Sequence, residues 1–550
     1  MADKAVATNH DFTLGHPSAE TAKRAYDESD LHRAIEAYRF FYPTVSGAAI
    51  VRGNHQIGIV ANKVFGILDC APAQHVFTAN SDTPYGPLML DLGVGPLVVE
   101  LQPGPLIVCS MDVNQRWVAD MGLPGPDAGK GGKHLLLPPD YDGPVPKDGY
   151  YVHRASSNLQ IVGARSLPVN GDVKGAKERL STIKVYPFDP KTPWTEPQWK
   201  DVTGVTQETT PVPWETNFEY WNILHQTIDS EPVFEGYRAY YGLLSALGIE
   251  KGKPFAPDER MRAILEQGAI TGNALMRVQS FADRRPDRNV WDDRQWQWAA
   301  LRFEDGDFNA ATHVDLEARE KWFYQAVGAS PAMFRRDAQA GSLYWLGLRD
   351  KDGNPLDGGK AYTLRVPLPV PGRLFWSVTV YDMDTRSQIE TEQGKAALRS
   401  LFELKDASGD HAQLHFGPEA PRAKRLRGGS GRSRAKDGSS TCVSMGRKRR
   451  HSTGRGGRGI SSGHDAVGWA LRNLSLQPPT RGGDGFRERN PSYDACNRGP
   501  GGISRAYCCS DGGSRSLLLS ALPAAGLLAS RAAAFFAAFS SCCFFFAISR

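Results

Sequence analysis

Cysteine is scarce in most of this chain. The first 421 of its 550 residues contain two cysteines, Cys70 and Cys109, and the other six follow residue 421. Two cysteines do not form the disulfide framework of a small secreted domain, so the sequence predicts a reducing compartment. The opening residues, MADKAVATNHDFTLGHPS, lack the apolar stretch of a secretory signal peptide. We therefore expect a cytoplasmic protein.

Common catalytic motifs are missing as well. The first 421 residues have no H-E-x-x-H, no G-x-S-x-G, no C-x-x-C, and no G-x-G-x-x-G after a predicted strand. These absences exclude the usual signatures of zinc proteases, α/β-hydrolases, thiol oxidoreductases and dinucleotide-binding domains. The histidines of the first 421 residues are scattered rather than clustered. No cofactor is predicted on these grounds.

Short apolar runs bounded by Gly, Pro and Asp dominate residues 75–168. Their length and spacing predict a β-sandwich rather than βαβ units; the runs are PLVVEL, PLIVCSMD, HLLLPP, YYVHRA and NLQIVGARSLP. Helical stripes follow over residues 173–183, 216–229, 236–247, 258–282 and 316–327. After about residue 340 the strand-like runs return as AYTLRVPLPV, RLFWSVTVYD and AQLHFG. The predicted fold class is therefore mainly β with a helical insert.

Helical spacing also begins near the start of the chain, at Ser18. We predict one or two helices up to Phe41, with Ser29 and Asp30 as caps of the second, and we expect Pro43 to end the pattern. The resulting boundaries are a helical lead-in over 1–43, a β-sandwich over 44–190, a helical middle over 191–339, an incomplete β-sandwich over 340–421 and a tail over 422–550.

Two long motifs resemble a known bacterial family. TANSDTPYGPLMLDL (residues 78–92) and DVNQRWVADMGLPGPDAGKGGKHLLLPPDY (residues 112–141) resemble domain of unknown function 1254. DGNPLDGGKAYTLRVPLPVPGRLFWSVTVYD, which starts at Asp352, and LHFGPEAP resemble its usual C-terminal partner, domain of unknown function 1214. The resemblance implies an immunoglobulin-like sandwich, a helical middle and a jelly-roll-like sandwich. It implies no particular reaction.

The tail differs from the rest of the chain in charge. From Arg422 onward there are 22 basic residues, 19 of them arginine, against 6 acidic ones, whereas the first 421 residues have 43 basic and 54 acidic. No strand or helix periodicity is visible between Arg422 and Tyr507. A shifted reading of the codons permits AGKEAxRWIRTxPGKGWFVYxRxYGPEAPAFDGTWRPGDFE, which resembles the family's usual ending. We hypothesise a single-base loss near codon 421 that leaves a disordered, out-of-frame tail.

Two other interpretations of the tail are weighed against this hypothesis. GRKRRHSTGRGGRG has the charge of a nucleic-acid-binding patch, but it lacks interleaved aromatic residues and a folded module. The apolar end of the chain is broken by Pro523 and Arg531 into pieces shorter than the roughly 20 residues that a membrane span needs. We therefore predict neither a nucleic-acid partner nor a membrane anchor.

The best candidate site is the polar turn that precedes the strand-like run PLMLDL. Asn80, Asp82 and Tyr85 could bind a ligand there, or the Asn and Asp side chains could simply cap backbone N–H groups. Arg116 and Trp117 could form a second wall, since an arginine beside an aromatic ring suits a polar or sugar-like ligand. These five residues are the predicted ligand-binding set.

Three functions are compatible with these residues. The first is binding of a small polar or sugar-like molecule in a polar-aromatic pocket. The second is a hydrolase-type enzyme in which Asp82 is the catalytic base or ligates Ca²⁺ or Mg²⁺. The third is a structural or envelope-associated interaction protein in which the same residues only shape turns. The first is the one we favour from the sequence.

Overall fold

The structure is a computed structural model, which describes residues 10–302, 306–334, 343–370, 374–418, 441–444 and 467–472. Within these residues it has twenty β-strands in small sheets and seven α-helices. Helices are concentrated between two β-rich regions. The predicted class, mainly β with a helical insert, is consistent with this order of elements.

The first helix is longer than predicted. Helix α1 (Ala19–Gln56) begins at Ser18, whose hydroxyl accepts a hydrogen bond from the backbone N–H of Thr21 at 3.1 Å. It continues through Pro43, so the prediction that this proline ends the helix was wrong, and the boundary at 43 falls inside an element. Proline removes one backbone hydrogen bond, but the helix on both sides of it is buried, and this packing outweighs the local cost.

The predicted caps in the middle of α1 were also wrong. Ser29 and Asp30 lie inside the continuous helix. Asp30 is instead held by Arg260, whose Nη2 lies 2.7 Å from its Oδ2. Short polar side chains favour helix starts, and here a tertiary ion pair has replaced that local role.

The first β-region contains two four-stranded sheets with a common core. One has the order β4-β10-β6-β7 and is antiparallel; its strands are β4 (Tyr85–Asp91), β6 (Leu106–Asp112), β7 (Trp117–Gly122) and β10 (Leu159–Ser166). The other has the order β11-β5-β8-β9; its strands are β5 (Leu97–Leu101), β8 (Gly132–Leu137), β9 (Tyr151–Arg154) and β11 (Lys184–Pro187). Val108 and Val162 of the first sheet and Val99 of the second belong to one buried cluster.

Small pairs of strands flank these sheets. A hairpin of β1 (Phe12–Thr13) and β2 (His16–Pro17) precedes α1, and β3 (Val64–Ile67) pairs in parallel with β12 (Gln198–Asp201). Because β12 comes from the predicted helical middle, that segment also contributes to the first β-region.

The predicted helical stripes correspond to helices. They are α2 (Val173–Leu180), α3 (Glu219–Ser230), α4 (Arg238–Ala246), α5 (Glu259–Phe281) and α6 (Leu316–Gln325), followed by the short α7 (Pro331–Phe334). Helix α5 packs tightly on α1. A Cβ atom at Gly268 would lie 2.6 Å from the Cβ of Ala34, so this close approach requires glycine.

The second β-region has a five-stranded and a three-stranded sheet. The first has the order β13-β14-β20-β16-β17; its strands are β13 (Trp296–Trp298), β14 (Tyr344–Gly347), β16 (Ser377–Asp382), β17 (Ala397–Arg399) and β20 (Val467–Arg472). The second has the order β15-β18-β19; its strands are β15 (Tyr362–Pro367), β18 (His411–Gly417) and β19 (Thr441–Ser444).

Two of these strands lie in the tail, where we predicted no regular structure. β20 pairs with both β14 and β16, and β19 pairs in parallel with β18. Without β20, one edge of β14 and one edge of β16 would have unpaired backbone groups, and such an edge can pair with any extended segment, which requires no sequence periodicity. The rest of residues 422–550 lies outside the described residues, and the reading-frame hypothesis stays a prediction.

Candidate functional site

The polar turn singled out in the sequence is tied together by one buried arginine. Asn80 Oδ1 accepts hydrogen bonds from the backbone N–H of Asp82 at 3.0 Å and from Arg165 Nη2 at 2.9 Å. Arg165 also donates from Nε to Thr83 Oγ1 at 2.7 Å, and its guanidinium lies 4.7 Å from the ring centroid of Tyr85. We call residues 80–85 the Asp82 loop. The polar side chains of this loop form hydrogen bonds with other groups of the same chain.

The Asp82 loop also joins the two β-regions. Asp82 has no exposed surface, and its Oδ2 accepts a hydrogen bond from the Ser377 hydroxyl on β16 at 2.9 Å. The Tyr381 hydroxyl, on the same strand, donates to the backbone carbonyl of Ala79 at 2.8 Å. A cleft of about 250 Å³ lies beside the loop, and Arg399 on its wall is engaged by Glu403 at 2.7 Å. These contacts favour the turn-and-cap interpretation of the loop.

Arg116 and Trp117 lie at the other end of the sheet. On β10, Arg165 pairs with Tyr85, whereas Gln160 pairs with Asp112, which lies just before the turn that leads to Arg116. Five residues along a strand span about 17 Å, at about 3.3 Å per residue. The five predicted ligand-binding residues therefore do not surround one site, and the prediction of a shared pocket was wrong. Strand register, which the sequence does not reveal, separates them.

A polar-aromatic pocket does surround Arg116. It encloses about 230 Å³ where the start of β7 meets α1, α4 and α6, and its aromatic walls are Phe40, Phe234, Tyr237, Tyr240, Phe308 and Phe323. The guanidinium of Arg116 is paired with Asp307 by two bonds of 2.9 and 3.2 Å, and it lies 4.2 Å from the ring centroid of Phe234. Trp117 does not line this pocket and is 41% exposed.

A second arginine in this pocket was missed by the sequence analysis. Arg319 on α6 is 95% buried, and its Nη1 donates to the backbone carbonyl of Phe40 at 2.6 Å. Its Nη2 is buried too, and no atom of the described residues accepts a hydrogen bond from it. Arg319 stands beside Glu320 and Lys321, a charge run that usually indicates a solvated helix face. We call this space the Arg319 pocket.

An acidic residue lies directly behind Arg116. Asp112 is fully buried, and burial raises the pKa of its carboxyl to about 6. Hydrogen bonds from the Ser156 hydroxyl and from the backbone N–H of Arg116, together with the charge of Arg116, act in the opposite direction. The charge of Asp112, beside the pocket, therefore changes around pH 6.

In the part of the chain that the structure describes, no three His, Cys, Asp or Glu side chains are grouped so that they could hold an ion. Likewise, none of the described helices is both long and apolar enough to cross a bilayer.

Three titratable side chains of the first β-region lie in a row. His134 Nε2 lies 3.3 Å from Asp127 Oδ1, and His134 Nδ1 lies 3.3 Å from His153 Nε2. Burial and the neighbouring His134 lower the pKa of His153 to about 4.

Comparison with known families places these residues in two domains. The model for the protein of unknown function DUF1254 matches residues 64–187, and the model for DUF1214 matches residues 341–427. The chain joins a DUF1254 domain to a DUF1214 domain. This confirms the resemblance seen in the sequence. Asp82 and Arg116 belong to the DUF1254 domain, and Ser377 belongs to the DUF1214 domain. Arg319 lies in the segment of sequence between the two matched ranges.

One solved structure of a similar chain shows the fold alone. The VPA0106 protein from Vibrio parahaemolyticus aligns with a TM-score of 0.50 at 17% identity, over 82% of this chain and 96% of that one. An uncharacterized protein from Burkholderia cenocepacia aligns with a TM-score of 0.32 at 10% identity, over 84% and 95%. No curated protein matches this chain.

Proposed function

We propose that this protein binds a small polar ligand in the Arg319 pocket. The observation that carries the proposal is the buried Nη2 group of Arg319, which has no acceptor among the described residues. Buried donors in folded proteins are nearly always paired, and an unpaired one costs about 1–3 kcal/mol. A ligand oxygen would remove this cost, and the pocket has about 230 Å³ in which to hold it.

The surroundings of the two arginines favour a particular ligand chemistry. The charge of Arg116 is balanced by Asp307, whereas among the described residues no carboxylate lies within ion-pair distance of Arg319. The remaining positive charge favours a ligand with an anionic or strongly polar acceptor group. The aromatic lining of the pocket, which includes Phe234, Tyr237 and Phe308, favours a ligand that also has an apolar or ring-shaped part, such as a sugar or an aromatic ring.

The finer architecture belongs to the same proposal. We propose that the two four-stranded sheets of the DUF1254 domain form an immunoglobulin-like sandwich, and that the sheets of the DUF1214 domain form a jelly-roll-like one. Their shared apolar cluster supports the first assignment. The ligand would then bind beside the first sandwich, where it meets the helices, rather than inside it.

The contacts of the Asp82 loop support a structural role for Asp82 rather than a catalytic one. The hydrolase alternative needs an Asp82 carboxylate that reaches a substrate. This carboxylate has no exposed surface and accepts a hydrogen bond from Ser377. We propose that the loop ties the two β-regions together, while ligand binding occurs at the Arg319 pocket.

Isothermal titration with benzoate, phenyl phosphate and D-glucose tests the proposal. We expect at least one of these probes to bind the wild-type protein, and the Arg319→Met variant to bind it about tenfold or more weakly, because the charged donor is lost. Arg262→Met is the matched control, since Arg262 is an exposed arginine that also rests on a phenylalanine, Phe218, at 3.9 Å. If no probe binds, or both variants bind as the wild type does, the proposal is wrong.

A further inference from the structure

A second cavity lies on the outer face of the first four-stranded sheet, away from the Arg319 pocket. It has a volume of about 120 Å³ and is bounded by the end of α1, by β4, β6 and β10, and by the segment around Gln207. Its walls are apolar and rich in sulfur; they include Ile50, Phe77, Met89, Cys109, Met111 and Ile161. None of the described residues that line it is charged.

Gly163 keeps part of this cavity open. It lies inside β10 and pairs with Pro87 on one side and Cys109 on the other. A Cβ atom at this position would have no described atom within 4 Å. Glycine weakens the interior of a strand, and it is typical of positions where a ligand or another backbone approaches closely. No described residue fills the space over Gly163, so the glycine leaves room for something that is not part of the described chain.

Two polar groups at the wall of the cavity are unpaired acceptors. Asn54 and Gln207 are 4% and 3% exposed, and neither Asn54 Oδ1 nor Gln207 Oε1 has a hydrogen-bond partner in the described part of the chain. Asn54 Nδ2 donates to the backbone carbonyl of Ile50 at 2.9 Å, which leaves the oxygen of Asn54 as the unpaired atom. Buried acceptors without donors are rare in folded proteins. A group that satisfies them must donate a hydrogen bond.

We propose that this Gly163 cavity is a second binding site, for a compact uncharged hydrophobic molecule that carries one hydrogen-bond donor. Apolar walls without a charged side chain disfavour an ion. The volume is close to that of an engineered apolar cavity of 150 Å³ in another protein, which binds benzene. The acceptors Asn54 and Gln207 add a preference for a hydroxyl or N–H group. Phenol has this size and chemistry.

Titration with phenol and with toluene tests both parts of the proposal. The two probes have similar size, and only phenol donates a hydrogen bond. We expect phenol to bind the full chain about tenfold more tightly than toluene. Equal binding of the two would overturn the donor preference, and no binding of either would overturn the site.

Substitutions then locate the site. Gly163→Leu places a side chain in the open space, so we expect it to abolish binding of both probes. Gly242→Leu on α4 is the matched control, because a Cβ atom there also meets no described atom within 4 Å. Wild-type binding of phenol by Gly163→Leu would overturn the proposal.

A further variant covers the case in which Gly163→Leu does not fold. Gln207→Met keeps the length of the side chain and removes one acceptor. We expect it to weaken phenol binding about fivefold and to leave toluene binding unchanged. An unchanged ratio of the two affinities would overturn the role of Gln207. Arg319→Met should leave both affinities as they are, which separates this site from the proposed function.

Discussion

Arg386 and Glu215 form a buried ion pair between residues that are 171 positions apart, with Arg386 Nη1 lying 3.2 Å from Glu215 Oε2. Tyr42 on α1 bonds both members of the pair: its hydroxyl donates to Glu215 Oε1 at 2.9 Å and accepts from Arg386 Nη2 at 2.9 Å. Arg386 has no exposed surface. One arginine of the DUF1214 domain thereby connects the helical middle and the first helix of the chain.

Arg386→Met should strongly destabilise the protein. The substitution keeps an apolar stem of similar length but leaves the buried Glu215 carboxylate without its cation, which typically costs about 3–5 kcal/mol. Urea unfolding measures this loss. The control is Arg365→Met, since Arg365 pairs with Asp410 at 3.2 Å in solvent and should cost less than about 1 kcal/mol. Equal losses in the two variants would contradict the prediction.

A double-mutant cycle at Lys321 and Asp283 should show strong coupling. Lys321 Nζ lies 2.8 Å from Asp283 Oδ2, and neither side chain is exposed. Asp283→Leu alone should cost about 3–5 kcal/mol, because it leaves a buried lysine whose pKa is already lowered by burial. Adding Lys321→Met should recover most of that loss, since an apolar pair of similar volume can replace a buried ion pair. If the double variant loses as much unfolding free energy in urea as the two single variants together, the prediction of coupling is wrong.

Local sequence patterns predicted single elements better than their arrangement. The helical stripe over 258–282 corresponds to α5, and its start is fixed by Asp258, whose carboxylate accepts from the backbone N–H of Met261 at 2.7 Å. Such capping depends on neighbouring residues and is visible in a sequence. Pro43 shows the opposite case, because the packing that keeps α1 continuous comes from residues far along the chain.

The candidate site was predicted only in part for the same reason. Arg116 does line a polar-aromatic pocket, but the partners that complete it, Asp307 and Arg319, follow it by about two hundred residues. Asp82 was predicted as a ligand-binding or catalytic residue, and its hydrogen-bond partner Ser377 is 295 positions away. Spacing along the chain carries no information on such pairs, which are fixed by sheet register and domain packing.

Asp82→Ala should lower stability without affecting the Arg319 pocket. It removes the acceptor of the Ser377 hydroxyl, and an unpaired buried hydroxyl costs about 1–3 kcal/mol. Ser377→Ala should cost less, and adding it to Asp82→Ala should cost little more, because both changes remove the same bond. Thermal unfolding gives the losses, and titration with the probe that binds wild type tests the pocket. Lost binding in a stably folded Asp82→Ala protein would instead support a ligand-binding role for the loop.

Asp112 should make stability depend on pH between about 4 and 6. Its carboxyl pKa is raised by burial from 3.8 to about 6, so the folded state holds the proton more tightly than the unfolded state does. Stability from this group is therefore present at low pH and is lost as pH rises through that window, by about 3 kcal/mol in total. Asp112→Asn replaces the carboxyl with an amide that does not titrate, so this contribution to the pH dependence of stability is absent from the variant.

The free energy of unfolding of Asp112→Asn relative to wild type should accordingly increase from pH 4 to pH 7. Titrating groups that do not interact with Asp112 are present in both proteins and cancel in this difference. Ser156→Ala provides a second measurement, because the Ser156 hydroxyl donates to Asp112 and favours its charged form. Removing that hydrogen bond should shift the window to higher pH. A difference that is flat with pH, or that decreases, would show that Asp112 is charged throughout the range.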